Sequence, residues 1–87
     1  MISRLHPKFR RGFDALPPNV RERARDSFRR FLADPSHSSL AFKRVDAGRE
    51  WWSVRISLGY RAVGVRGPVD VIVWFFIGTH AEYDRLL

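Results

Sequence analysis

The stretch Trp52-Ser53-Val54-Arg55-Ile56-Ser57-Leu58-Gly59-Tyr60-Arg61-Ala62-Val63-Gly64 decides the fold. Trp52, Val54, Ile56 and Leu58 alternate with Ser53, Arg55 and Ser57, the period of two that marks a strand with one buried face. Gly59 interrupts the pattern at a turn, after which a second strand begins. Strands joined by so short a connection pair antiparallel. Loop length then fixes where Arg61 points. A two-residue loop sets Arg61 opposite Ile56, on the apolar face. A three-residue loop of Leu58, Gly59 and Tyr60 sets it opposite Ser57. Ser53, Arg55, Ser57 and Arg61 then share one face, and Trp52, Val54, Ile56, Ala62 and Gly64 the other. Keeping a guanidinium out of the core favours the second register.

On either side of this hairpin the strands continue: Leu40 to Asp46 reads as a first strand, closed at Ala47-Gly48, and Glu50 to Leu58 as the second. Tyr60 to Arg66 is the third, ended by Gly67-Pro68. Val69 to Ile77 is the fourth; being apolar on both faces, it belongs in the middle of the sheet or covered on both sides. Upstream, Val20, Ala24, Phe28, Phe31 and Leu32 recur at helical spacing. Pro17-Pro18 suits the entry to that helix, Asn19 with Glu22 fits a capping box, and Asp34-Pro35 ends it. A shorter helix from His6 or Pro7 to Leu16 precedes it, with Phe9, Phe13 and Leu16 on one side. Thr79 to Leu87 reads as a short final helix, with Thr79 and Glu82 as a second capping box. Trp51, Trp52 and Trp74 read as core residues, although an exposed ring is also suited to stacking on a base. The expected fold is α+β: a helical hairpin packed on a four-stranded antiparallel sheet, one domain spanning residues 1–87.

Composition narrows the function. The 87 residues hold 16 Lys and Arg against 9 Asp and Glu, a formal charge of +7. Residues 1–44 contribute eleven cations and four acids; residues 45–87 contribute five of each, so the excess sits in the first half. Fourteen of the sixteen cations are Arg, whose planar fork suits phosphate and whose face stacks on rings. A polyanionic partner follows: RNA, DNA or an acidic protein. There is no cysteine, hence no disulfide, thiol nucleophile or thiolate metal site. The longest apolar run, Val71 to Ile77, is far below the roughly 20 residues of a membrane span. The expectation is a cytoplasmic chain without membrane association. No phosphate-binding or nucleophile-elbow motif occurs, His6, His37 and His80 lack metal-ligand spacing, and the acids do not cluster, so neither cofactor nor metal is expected.

One constellation remains. His80 and Tyr83, three apart at the start of the last helix, share a side. They follow a strand that neighbours the arginine face. An imidazole, a phenol and guanidinium groups meet the needs of metal-free RNA cleavage. One group takes the 2′-hydroxyl proton, another protonates the leaving 5′-oxygen, and arginines stabilise the phosphorane.

The runs Trp52 to Ile56, Tyr60 to Gly64 and Val73 to Leu87, with Pro35 to Leu40 and Phe42-Lys43 upstream, resemble a RelE/ParE-family toxin of a type II toxin–antitoxin system. The resemblance covers residues 7–87. It implies a microbial-ribonuclease-like fold and a ribosome-dependent endoribonuclease that cuts mRNA and is neutralised by a cognate antitoxin. By position it implies Arg61 at the transition-state phosphate, His80 in proton transfer, and Tyr83 orienting the base or moving a proton. Arg55, with Lys43 and Arg44, would bind RNA. The helical arginines Arg21, Arg25 and Arg29 would dock the antitoxin or the ribosome. Ribonuclease members often carry a catalytic lysine cluster, whereas this chain has only Lys8 and Lys43. Other members poison DNA gyrase, which is the alternative target; a relative that has lost catalysis would only bind its antitoxin.

Overall fold

A computed structural model describes all 87 residues. Its elements run β1 (Ile2–Leu5), α1 (Pro7–Asp14), α2 (Pro18–Ala33), a 3-10 turn (Ser38–Leu40), β2 (Lys43–Asp46), β3 (Trp51–Ser57), β4 (Tyr60–Gly67), β5 (Val71–Thr79) and α3 (His80–Leu86). The sheet order is β1-β5-β4-β3-β2. No helix is long and apolar enough to cross a membrane.

The α+β class and the helical hairpin are as expected, but the sheet has five strands, not four, and is not wholly antiparallel. Residues 2–5 lie parallel to β5, with Ile2 opposite Val71 and Leu5 opposite Trp74. An edge strand needs a ladder of backbone bonds more than an apolar alternation. Here the ladder is closed at both ends: Ile2 N–H donates to the Asp70 carbonyl and His6 N–H to the Trp74 carbonyl, each at 2.8 Å. The Met1 ammonium also lies 3.3 Å from an Asp70 carboxylate oxygen. The apolar β5 is thereby an interior strand, between β1 and β4, covered by α1 and α3.

The start of the first expected strand is also corrected. Leu40 lies in the 3-10 turn as a fully buried plug, and Ala41 follows at φ 46°, so pairing begins only at Lys43. Asn19 and Glu22 form no capping box. Helix α2 begins at Pro18 with Pro17 as its cap and no side-chain cap bond; the two prolines remove two of the four free amide hydrogens of a helix start, and the Val20 N–H is taken by the Pro17 carbonyl at 3.0 Å.

Face assignments follow from register. Trp52, Gly64 and Trp74 align across β3, β4 and β5, as do Val54, Ala62 and Ile77. This face carries α1 and α2 and the main core, which includes Phe9, Leu16, Val20, Ala24, Phe31, Leu40, Ile56 and Ile72. Its rings meet edge to face: Phe9 on Phe28, Phe28 on Trp74, Phe31 on Trp74 and on Phe42. Ser27 replaces Leu32 on the buried stripe of α2: its hydroxyl donates to the Ile56 carbonyl at 3.3 Å, while Leu32 is 61% exposed. Two close approaches need glycine. A Cβ at Gly12 would stand 3.0 Å from the Ile77 carbonyl oxygen, so α1 lies directly on β5. A Cβ at Gly64 would stand 2.8 Å from an Ile72 side-chain carbon and 3.0 Å from the Trp74 ring.

On the opposite face Ser53, Val63 and Phe76 align, and so do Arg55, Arg61 and Gly78. Helix α3 packs here on β4 and β5 and buries Tyr83. The capping box expected at Thr79 and Glu82 is present in both directions: Thr79 Oγ1 accepts from the Glu82 N–H, and Glu82 accepts from the Thr79 N–H at 2.8 Å.

Candidate functional site

The β3–β4 hairpin aims the site through a bulge and not through the length of its loop. Ser57 pairs with Tyr60, leaving a two-residue loop, Leu58-Gly59. Arg55 pairs with Arg61, so Ile56 is the extra residue of a bulge. The bulge supplies the one-residue shift that a third loop residue would have given. Arg61 therefore faces Arg55 rather than Ser57, yet both stay off the core face as expected.

Two like charges directly opposite each other on neighbouring strands repel. Arg55 is exposed and has no carboxylate within salt-bridge distance. Arg61 is half-buried; its Nη1 donates to the carbonyls of Ser57 at 2.7 Å and Tyr60 at 2.9 Å, which locks the guanidinium onto the turn. Burial lowers the Arg61 pKa from the usual arginine value and neighbouring Arg55 lowers it further, while Tyr83 and Asp84 act in the opposite direction. Arg61 stays protonated, and it is in a position to gain from an arriving anion.

Helix α3 is tied to the same turn. The His80 N–H donates to the Gly59 carbonyl at 2.8 Å. Its imidazole Nδ1 lies 3.2 Å from Asp84 Oδ2, and its ring meets the Tyr83 ring edge-on at 5.6 Å between centroids. A carboxylate at Nδ1 holds the proton on that nitrogen and leaves Nε2 free to exchange one. Arg55, Arg61, His80 and Tyr83 thus meet at one end of the sheet, as the sequence spacing suggested. Asp84 is the member that sequence reasoning missed. The signal was available, because His80 and Asp84 are four apart on a helix.

The remaining candidates divide. Lys43 pairs with Ser53 and so lies on the face of Arg55. Arg44 pairs with Trp52, on the helix-bearing face, and is held by Glu50 at 3.1 Å; the structure does not bring it to the site. Arg21 donates to the Leu16 carbonyl at the end of α1. Arg25 pairs with Glu22 at 3.3 Å and Arg29 with Asp26 at 2.6 Å, one turn apart on exposed α2. Beside them lies a groove that the sequence did not reveal. It is a cavity of about 320 Å³ lined by Leu5, Phe9, Phe13, Phe28, Leu32 and Trp74, with Arg10 and Arg25 among its walls.

A ParE-like toxin domain matches residues 18–85. The chain belongs to the ParE-like toxin family. Solved structures share this toxin fold at low identity. The RelB–RelE antitoxin–toxin complex of Methanococcus jannaschii superposes with a TM-score of 0.74 at 15% identity, covering 97% of this chain and 99% of the other. The isolated Escherichia coli RelE toxin gives 0.66 at 19%, covering 99% and 98%. A YoeB/ParE toxin from Agrobacterium tumefaciens gives 0.70 at 15%, covering 92% and 99%. A sequence search of curated proteins finds no match. The strand β1 that was unexpected from sequence belongs to the part of this toxin that precedes the family match.

Proposed function

We propose that this toxin is a metal-independent endoribonuclease that cleaves mRNA on the ribosome, and that a cognate antitoxin neutralises it. One observation carries the reading: Arg55 and Arg61 pair in register, close enough for their charges to act on each other, and neither has an ion-pair partner, beside an imidazole paired with Asp84. A scissile phosphate would relieve the repulsion. In this reading Arg55 binds the substrate phosphate and Arg61 stabilises the added charge of the phosphorane. His80 exchanges the proton through Nε2, and the 2′-oxygen attack yields a 2′,3′-cyclic phosphate and a free 5′-hydroxyl. Tyr83 orients the imidazole through its edge contact. Its ring is anchored under α3, which favours orientation over proton transfer.

The antitoxin assignment rests on the toxin family and on solved relatives that are toxin–antitoxin complexes. The apolar groove between β1, α1 and α2, with Arg10 and Arg25 in its walls, suits an amphipathic segment carrying carboxylates.

The test is purified toxin added to translating ribosomes, with no metal beyond the magnesium ribosomes need. Cleaved message ending in a cyclic phosphate is expected. The ParE-like description of the family favours one second reading, gyrase inhibition through the arginine-rich helical half. Intact message together with lost DNA supercoiling would replace the first reading by the second. Neither effect, with antitoxin binding retained, would mark a relative that only binds its partner.

A further inference from the structure

The three tryptophans have different fates. Trp74 is fully buried, and Trp52 packs against the core within ring contact of Phe42. Trp51 stands on the opposite face of the sheet, the face of Arg55 and Arg61, and belongs to no core cluster. It is half-buried, and its ring lies 5.0 Å from that of Phe75. Phe75 is itself brought there by irregular register: Gly64 pairs with Trp74 and Val63 with Phe76, so Phe75 is the extra residue of a second bulge. The Arg49 guanidinium lies 3.6 Å over the Trp51 ring, held in plane by Asp46. A shallow depression lined by Trp51, Phe75, Val65, Leu86, His6 and Lys8 opens at this spot.

Two large rings and a fixed guanidinium plane outside the core make a surface suited to stacking a flat, electron-rich ring. Its position adds direction. Trp51, Ser53 and Arg55 point the same way along β3, so the ring lies four residues, about 13 Å, from Arg55. Lys43, exposed and opposite Ser53, stands between them and has no ion-pair partner. Arg61, Arg55 and Lys43 form a line of unpaired cations that leads to Arg49, whose charge is balanced by Asp46 but whose plane still lies over Trp51. Cations spaced along a line with an aromatic platform at its end fit a phosphodiester strand better than a protein helix, which would want an apolar stripe.

We propose that Arg49, Trp51 and Phe75 form a stacking subsite for a nucleobase of single-stranded RNA, displaced along the strand from the phosphate held at Arg55 and Arg61. This rests on the ribonuclease reading above. It makes Trp51 a determinant of substrate affinity and leaves proton transfer to His80.

Two measurements separate this inference from that reading. The first is cleavage on translating ribosomes as a function of toxin concentration. Trp51→Leu is expected to raise the half-saturating concentration at least about five-fold, the lower end of what loss of one stacked base costs. The maximal rate should change much less, and Trp51→Phe should restore most of the affinity. The second is photocrosslinking to a short oligoribonucleotide carrying thiouridine beside a 2′-deoxy-blocked scissile position. Crosslinks should map to residues 49–51 and vanish in Trp51→Leu. Thermal unfolding of both variants identifies any that fail to fold, and Arg49→Ala, an exposed change, then serves in their place. Unchanged half-saturation with normal cleavage overturns the subsite and leaves the ribonuclease intact. Crosslinks at residues 49–51 without any cleavage support the subsite and overturn the ribonuclease reading. An absence of crosslinks, with Trp51 covered instead by a bound protein, overturns the subsite in favour of a protein contact.

Discussion

The two faces of this sheet are built from the same strands and follow opposite rules. The helix-bearing face is filled. Ala62 and Gly64 are reduced to almost nothing so that Trp74, Ile72 and the helices fit, and aromatic rings interlock from Phe9 to Phe42. On the other face only the short α3 packs, from the Gly59 turn to Leu86 beside Trp51, leaving Arg55 paired with Arg61 at one end and the half-buried rings of Trp51 and Phe75 at the other. The first face contributes stability through close packing. The second gives some up, because like charges in register repel and half-exposed rings gain little from burial. Positions that work against stability are thus concentrated on the face that carries Arg55 and Arg61.

The largest losses of activity are expected at the charged end. His80→Ala removes an exposed side chain and should leave the thermal midpoint close to that of the parent. Arg61→Ala should lower message cleavage by about a hundred- to a thousand-fold, the usual loss for one preorganised stabilising group. Because Arg61 also holds the Ser57 and Tyr60 carbonyls, some stability should be lost with it. If both variants cleave at the parental rate, the division of labour between the faces is wrong.

The filled face predicts the converse. Gly64→Ala places a methyl against Ile72, the Trp74 ring and the Val73 carbonyl, all at 3.0 Å or less. Overpacking of this kind costs about 1–3 kcal/mol, measurable as a lower denaturant midpoint at unchanged slope. Cleavage per folded molecule should not change. Ser27→Ala is a milder probe: it removes the hydroxyl that serves the carbonyl of Ile56, the bulge residue itself, at a cost of about 1 kcal/mol. Since that bulge turns Arg61 toward Arg55, a drop in cleavage beyond the lost stability would show that the core face positions the site.

Much of this was legible in the sequence because it was local. The alternation of Trp52 to Ile56, the apolar run that became β5, and the box at Thr79 and Glu82 are each decided by near neighbours, whereas Leu58, the last apolar residue of that alternation, stands 87% exposed in the loop. The features that escaped are decided by distant ones. Ile2 to Leu5 is a strand only because β5 offers an open edge. The extra residues at Ile56 and Phe75 are bulges only in relation to their partner strands, so alternation alone led to a three-residue loop where the chain has two residues and a bulge. For the same reason Trp51 read as core beside Trp52, although adjacent residues of a strand point to opposite faces. The site was legible in part: Arg55, Arg61, His80 and Tyr83 converge, but the ion pairs that occupy Arg44, Arg25 and Arg29 depend on which acids fold next to them.

The smallest expected effect concerns how α3 is kept on the open face. Its N-terminus is held by the capping box, in which Thr79 donates to Glu82 through both its backbone amide and its hydroxyl. Those bonds lower the Glu82 pKa from the usual glutamate value. A carboxylate with a lowered folded pKa stabilises fully above its unfolded pKa and loses that contribution as pH falls through the folded one. The cap should therefore be at full strength at neutral pH and weaken in acid. Thr79→Ala should cost about 1 kcal/mol at neutral pH, and Glu82→Gln less, because the amide still accepts a hydrogen bond. The difference in thermal midpoint between parent and Glu82→Gln should close as the medium is acidified below the usual glutamate range. The two faces should differ here too: the mutational cost of Gly64→Ala contains no titrating group and should stay constant over the same interval. If the Glu82→Gln difference persists in acid, the box acts through geometry alone, and the charge on Glu82 does not help to hold His80 and Tyr83 over the arginines.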